Sequence, residues 1–269
     1  TMKNSFYKSI PACAWSRAIG LGWDKPYTVR KDSNIDDGPW HGMPLGGFGA
    51  GCIGRSSRGD FNFWHIDGGE HTFQNISACQ FSVVENSNNK NVVYALSTEA
   101  NTEPNSNASL SAWKWYPTSA SEDDSTGGYH ALYPRSWFVY ENVFQAQLSC
   151  EQFSPVWADN YQESSYPVAI FVWNASNPTD VPITLSIMLT WQNMVGWFTN
   201  TVKSPEVEMR DDGSPVYDYQ PNLNQSKNNF NQLVTDSEYT GCVLDKVGTV
   251  ETVEGEGTWC IENSKHTKV

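Results

Sequence analysis

The sequence predicts an all-β fold: an antiparallel β-sandwich with long loops and few or no helices. Three observations predict it. Apolar residues recur with a period of two wherever a period is visible. Aromatic residues make up 13% of the 269 residues and charged residues only 17%, a balance that suits ring-rich sheets better than a helical bundle. Polar stretches rich in Asn, Asp, Pro, Ser and Gly separate the apolar runs, as turn chemistry requires.

The elements follow in chain order. QFSVV (80–84) and NVVYAL (91–96) read as short strands joined by the polar turn ENSNNK. WFVYENVFQAQL (137–148) alternates, with Phe144, Ala146 and Leu148 on one face. The clearest unit is VAIFVW (168–173), the turn NASNPTD, then VPITLSIMLTW (181–191). In its second strand Ile183, Leu185, Ile187 and Leu189 form one apolar face. Two such strands are not stable alone and must pack on another sheet. Leu233 and Val234, 242–244 and 259–261 are further strand candidates. Residues 201–232 are polar and far longer than ordinary connections, so they read as a long loop or insert; 97–128 are similar.

Composition excludes several classes of function. The net charge is −13, with 17 Lys and Arg and no basic run, which disfavours nucleic acid and anionic lipid as partners. No window approaches the ~18 apolar residues of a transmembrane span. TMKNSFYKSIPACAW, at the start, lacks the apolar core of a signal peptide, although a clipped signal fits a chain that begins at Thr1. Six cysteines without a CxxC pair argue against a zinc ribbon or a redox motif and for reduced thiols in the cytoplasm. Four N-x-S sequons, at Asn75, Asn107, Asn174 and Asn224, point the other way.

PLGGFGAGCIG (44–54) places Gly49, Gly51 and Gly54 in the G-x-G-x-x-G spacing of a dinucleotide site. That motif needs a buried strand before it and an apolar-faced helix after it. Here a loop-like DDGPWHGMPLGGF precedes, and RSSRGDFNFWHIDGGEH follows without helical spacing. The glycines therefore read as sites of positive φ and close backbone packing.

Three blocks carry a family resemblance: PLGGFGAGCIGRSSRGDFNFWHIDGGEH (44–71), YHALYPRSWFVYE (129–141) and SPVWADNYQESSYPVAIFVWNASN (154–177). They resemble the N-terminal domain of glycoside hydrolase family 116, which includes β-glucosidases and the non-lysosomal glucosylceramidase, also called bile acid β-glucosidase. The resemblance runs from about Gly42 to about Trp191 and is loose beyond Thr201. It implies a supersandwich-like N-terminal domain packed on a C-terminal (α/α)6 barrel. It also implies retaining hydrolysis of a β-glucoside or a glucosylceramide-type substrate by two carboxylates of that barrel. On this reading 1–269 form one N-terminal domain, itself incomplete, with the catalytic barrel of the same protein as its partner. The barrel is absent from this chain, no catalytic residue is carried over, and neither cofactor nor metal is implied. The expected location is cytoplasmic, with a membrane-peripheral position as the alternative.

Residues at the substrate entrance or between domains are expected at Trp64, His65, Asp67, Glu70 and Arg135. Trp64 offers a ring to a sugar face, and His65, Asp67, Glu70 and His71 offer hydrogen bonds to hydroxyls. The scaffold alternative has Phe61 and Phe63 facing the core, Trp64 at a domain seam and the polar groups satisfying loop amides. Asp159, Tyr161, Gln162 and Glu163 read as a turn or strand cap. Tyr133, Arg135 and Trp137 alternate, so a strand would place them on one face with Arg135 between rings. Two rival functions stand beside the enzyme-domain reading: a stand-alone carbohydrate-binding module using some of the twelve Trp, and a structural partner of another chain.

Overall fold

The structure, a computed structural model, describes residues 5–21, 42–66, 72–73, 75–76, 78–87, 90–98, 114–195, 228–247 and 259–264. The chain divides into two compact units, one of Thr1–Ile66 with His71–Trp191 and one of Asp67–Glu70 with Gln192–Val269. Every ladder between named strands is antiparallel.

The first unit holds three sheets. One has five strands in the order β1 (Trp15–Ala18), β8 (Gly127–Leu132), β9 (Arg135–Tyr140), β10 (Gln147–Phe153) and β11 (Ile170–Ser176). A second places β6 (Gln80–Ser87) between β12 (Thr184–Thr190) and β7 (Lys90–Ala95). The third runs β2 (Pro44–Leu45), β3 (Cys52–Arg55), β4 (Phe61–His65) and β5 (Thr72–Phe73). Rings from all three meet in one core. Phe61 lies 5.1 Å from Trp191 and 6.1 Å from Phe81, and Phe81 lies 5.1 Å from Phe171 and 5.0 Å from Trp173, centre to centre. Many of the aromatic residues therefore serve the interior, where each buries a large area.

Arg55 is buried in that core. Its Nε donates to the Gly59 carbonyl (3.0 Å) and an Nη donates to the Tyr140 hydroxyl (3.1 Å). Its guanidinium also faces the rings of Phe138, Phe81 and Phe61 at 4.2, 5.0 and 5.8 Å. Among the described residues no carboxylate pairs with it. Nearby, buried Glu85 on β6 accepts from the backbone amides of Gln145 and Ala146, which pins the loop before β10.

One expectation needs correction. The alternation over 137–148 is not one strand: β9 ends at Tyr140, a loop follows, and β10 begins at Gln147. Asn142 in that loop has φ 60°, which breaks the ladder. The strands on either side of NASNPTD lie in different sheets. β11 pairs β10, and β12 pairs β6 in another sheet, so the turn carries the chain between sheets. Asn177 closes this turn, its Oδ1 accepting from the Thr179 amide and its Nδ2 donating to the Val181 carbonyl. The short helices are a 3₁₀ turn at Ser5–Ser9 and α1 (Tyr161–Ser164).

The second unit contains β13 (Asn229–Thr235), β14 (Tyr239–Lys246) and β15 (Trp259–Ser264) in sequential order. Asp236 caps the β13–β14 turn, accepting from the Glu238 and Tyr239 amides at 2.7 Å each. β13 starts at Asn229, inside the 201–232 stretch read as a loop; 201–227 lie outside the described residues.

Cys13, Cys52, Cys79, Cys150 and Cys242 are free. Burial pushes the Cys150 thiol up to about 12, while Cys13 is exposed. No described helix is long and apolar enough to cross a membrane. No group of three His, Cys, Asp or Glu among the described residues could hold a metal ion.

Candidate functional site

The glycine run is a turn between antiparallel strands. β2 ends at Leu45, and β3 begins at Cys52 and passes straight through Gly54 with no helix behind it. A dinucleotide cradle is thereby ruled out for this motif. Gly51 has φ +78°, and a Cβ there would sit 2.5 Å from the His65 carbonyl oxygen. Only glycine fits that approach of β3 to the end of β4.

This loop is tied to α1 through Ser164. The Phe48 amide donates to the Ser164 carbonyl (2.8 Å). The buried Ser164 hydroxyl exchanges bonds with the Trp157 amide and carbonyl, both 3.2 Å. α1 forms because Asn160 caps it, accepting from the Glu163 amide, and Ser165 closes it by donating to the Tyr161 carbonyl. The chain reverses at once, with the Val168 amide donating to the Tyr166 carbonyl.

Ser154 extends the cluster toward the other motif block. Its hydroxyl accepts from the Gly46 amide (2.9 Å), and its own amide donates to the Pro134 carbonyl (3.2 Å). Pro134 sits in the β8–β9 turn beside Tyr133. Partial burial, and then the nearby Cys52 thiol, push the Tyr133 phenol above its ordinary value. Segments 44–54, 129–141 and 154–177, far apart in sequence, thus converge on one end of the first unit. Around it Phe48, Tyr133, Trp157, Tyr161 and Tyr166 are between 44% and 81% exposed.

The expected site residues divide among several environments. Trp64 is buried, edge-on to Trp191 at 5.7 Å, and offers no ring face to solvent within its unit. Phe61 and Phe63 face the core as the scaffold alternative has it. His65 is half-buried opposite Cys52, beside the glycine loop. Arg135 is exposed, paired with Glu151, and lies 4.8 Å from the Phe153 ring centre. Arg135 and Trp137 share a face of β9, with Glu151 paired opposite Trp137, while Tyr133 falls in the turn before the strand. Asp67, Glu70 and His71 lie outside the described residues. The cluster 159–163 is α1 with its cap. Sequence reasoning missed Phe48, Trp157 and Ser164; a bulky apolar residue stranded among glycines in GGFG was the available signal.

The family model described as beta-glucosidase 2, glycosyl-hydrolase family 116 N-term, matches residues 42–269. The match begins at the Gly42 boundary of the resemblance and continues past Trp191 through β13, β14 and β15. With parts of its three motif blocks meeting around Ser154 and Ser164 in an antiparallel all-β unit, the chain belongs to the N-terminal domain family of glycosyl hydrolase family 116.

Proposed function

We propose that this domain is the non-catalytic N-terminal sandwich of a retaining β-glucosidase. It seats a C-terminal (α/α)6 barrel of the same protein, and its glycine-loop end borders the substrate entrance. The carrying observation is the convergence of the three motif blocks on an end rimmed by Phe48, Trp157, Tyr161 and Tyr166. Core packing explains buried motif residues but does not explain four exposed rings knotted around Ser164.

The carboxylates support a scaffold role. Retaining hydrolysis needs two carboxyl groups about 5 Å apart across the scissile bond. Glu85 holds a loop, Glu122 accepts from the Ala18 amide, Glu141 accepts from the Tyr7 hydroxyl, Asp60 from Ser56, and Glu151 pairs with Arg135. These five are committed to structural contacts. The parent substrate class is an aryl or lipid-linked β-glucoside of the glucosylceramide type. A cytoplasmic setting is supported by the free cysteines among the described residues. The sugar-binding-module reading is weaker, because among the described tryptophans only Trp157 is exposed.

The test uses the protein extended through the downstream reading frame. Phe48→Ala and Tyr161→Ala should each raise KM for aryl or lipid-linked β-glucosides by about tenfold, roughly 1.4 kcal/mol, with Tm unchanged. Unaltered kinetics in both variants would contradict the entrance role.

A further inference from the structure

We infer that the 3₁₀ turn at Ser5–Ser9 is an acid-released latch on the outer face of the five-stranded sheet, a device independent of the scaffold role. The turn precedes residues 42–269, which match the family model. Side chains of a strand alternate between the two faces of a sheet. Tyr129 and Phe138, opposite each other in β8 and β9, point into the core with ring centres 4.8 Å apart. Their neighbours take the other side: Gly128 opposite Val139, and His130 opposite Trp137. Val139 and Trp137 are nevertheless buried, so this face is covered as well. The 3₁₀ turn supplies part of the cover through Tyr7.

Tyr7 sits edge-on to His130, with ring centres 5.5 Å apart and planes at 83°. Its hydroxyl donates to Glu141 Oε2 (3.0 Å), just after β9. Burial first, and then the Glu141 charge, push the phenol up, so it stays a donor. Gly128 leaves room for both rings, since a Cβ there would lie 2.7 Å from His130 Nε2 and 3.4 Å from the Tyr7 hydroxyl. That Nε2 is buried and has no hydrogen-bond partner among the described residues. The Tyr7 hydroxyl, committed to Glu141, does not satisfy it.

A buried imidazole nitrogen without an acceptor tolerates the neutral ring and disfavours the cation. Burial alone moves the His130 pKa, and it moves it down. Of the ionisable groups around the ring, Tyr7 is neutral and Glu141 is engaged by Tyr7. Lys8, in the same turn, is exposed. Ser16 of β1 and Trp137 of β9, opposite His130 on either side, carry no charge, and Arg17 takes the core side with Tyr129. Glu151, beyond Trp137 on β10, is paired with Arg135. Lifting Tyr7 off the ring gives the buried nitrogen water. The open turn therefore binds the proton more tightly than the closed one, and acid shifts the population to open.

The full chain is followed by NMR at pH 7.5 and pH 5.5. At the higher pH the Tyr7 and His130 rings should share nuclear Overhauser contacts. The Ile10 amide, which donates to the Tyr7 carbonyl (3.2 Å), should then be protected from hydrogen exchange. At pH 5.5, one unit below the ordinary 6.5 of histidine, the ring contacts should fade and Ile10 protection should fall by up to about tenfold. Protection of the β9–β10 ladder should not move. His130→Gln should remove the pH dependence, and Glu141→Gln, whose amide oxygen still accepts from Tyr7, should keep it. Ring contacts and Ile10 protection unchanged between the two pH values would overturn the inference. So would a pH dependence that survives in His130→Gln, one that vanishes in Glu141→Gln, or a loss of protection shared by the β9–β10 ladder.

Discussion

The Arg55 guanidinium lies 4.2 Å from the centre of the Phe138 ring, a cation buried against a π face where a carboxylate would be expected. Phe81 and Phe61 add two more faces, so one side chain contacts rings of all three sheets of the first unit. Desolvated cation–π contacts contribute about 2 kcal/mol each, enough to offset much of the cost of burying the charge. Arg55→Ala should lose about 3–5 kcal/mol, because it leaves a cavity and strips a donor from Gly59 and Tyr140. Arg55→Met keeps most of the volume and removes the charge, and should lose less than about 2 kcal/mol. Urea unfolding of both variants measures the difference; equal losses would show that the charge and its two hydrogen bonds, not the side-chain volume, carry the contribution.

Gly51 and Gly49 allow a controlled comparison within one loop. Both have positive φ, +78° and +72°, but a Cβ at Gly49 meets nothing within 4 Å. Gly49→Ala should cost about 1 kcal/mol, the left-handed penalty alone. Gly51→Ala must also displace the His65 carbonyl and should cost about 3 kcal/mol. Thermal unfolding of the two variants separates conformational strain from steric clash.

Glu85→Gln tests the anchor of the β9–β10 loop. A carboxylate can accept from the Gln145 and Ala146 amides at once, whereas an amide turns one NH2 toward a donor. The loss should be about 2–3 kcal/mol. Hydrogen exchange should rise first at Gln145 and Ala146, and uniform acceleration across the unit would contradict a local anchor.

Stability should fall at both ends of the pH scale for separate reasons. Burial holds His130 below its ordinary 6.5, so the unfolded chain takes up that proton first on acidification. Its contribution is present above pH 6.5 and is lost as the pH drops through that value. Burial pushes the Tyr140 phenol up to about 12, against an ordinary 10. The unfolded chain ionises first, so stability declines between pH 10 and 12. Urea midpoints across the pH range should show both limbs, and His130→Gln should flatten the acidic one.

The sequence made the class of fold legible because strand periodicity and turn composition are local. QFSVV and NVVYAL lie in β6 and β7 as expected, and no helix follows Gly54. Pairing was not legible. β11 and β12 alternate in the same way whether they pair with each other or lie in separate sheets, and nothing local distinguishes the two. Arg55 sits in RSSRG, a polar stretch that reads as surface; only contacts with Phe81 and Phe138, distant in sequence, bury it. The site was half legible. The motif blocks were visible, but exposure separated Phe48 and Trp157 from buried Trp64, and exposure depends on the tertiary fold.

The most direct measurement of the central claim is turnover of an aryl β-glucoside by the purified 269-residue chain and by the chain extended through its downstream reading frame. The account predicts no turnover by the shorter chain. It predicts hydrolysis by the longer one, with β-glucose as the first product by proton NMR. Turnover by the 269 residues alone, surviving repurification to constant specific activity, would contradict it.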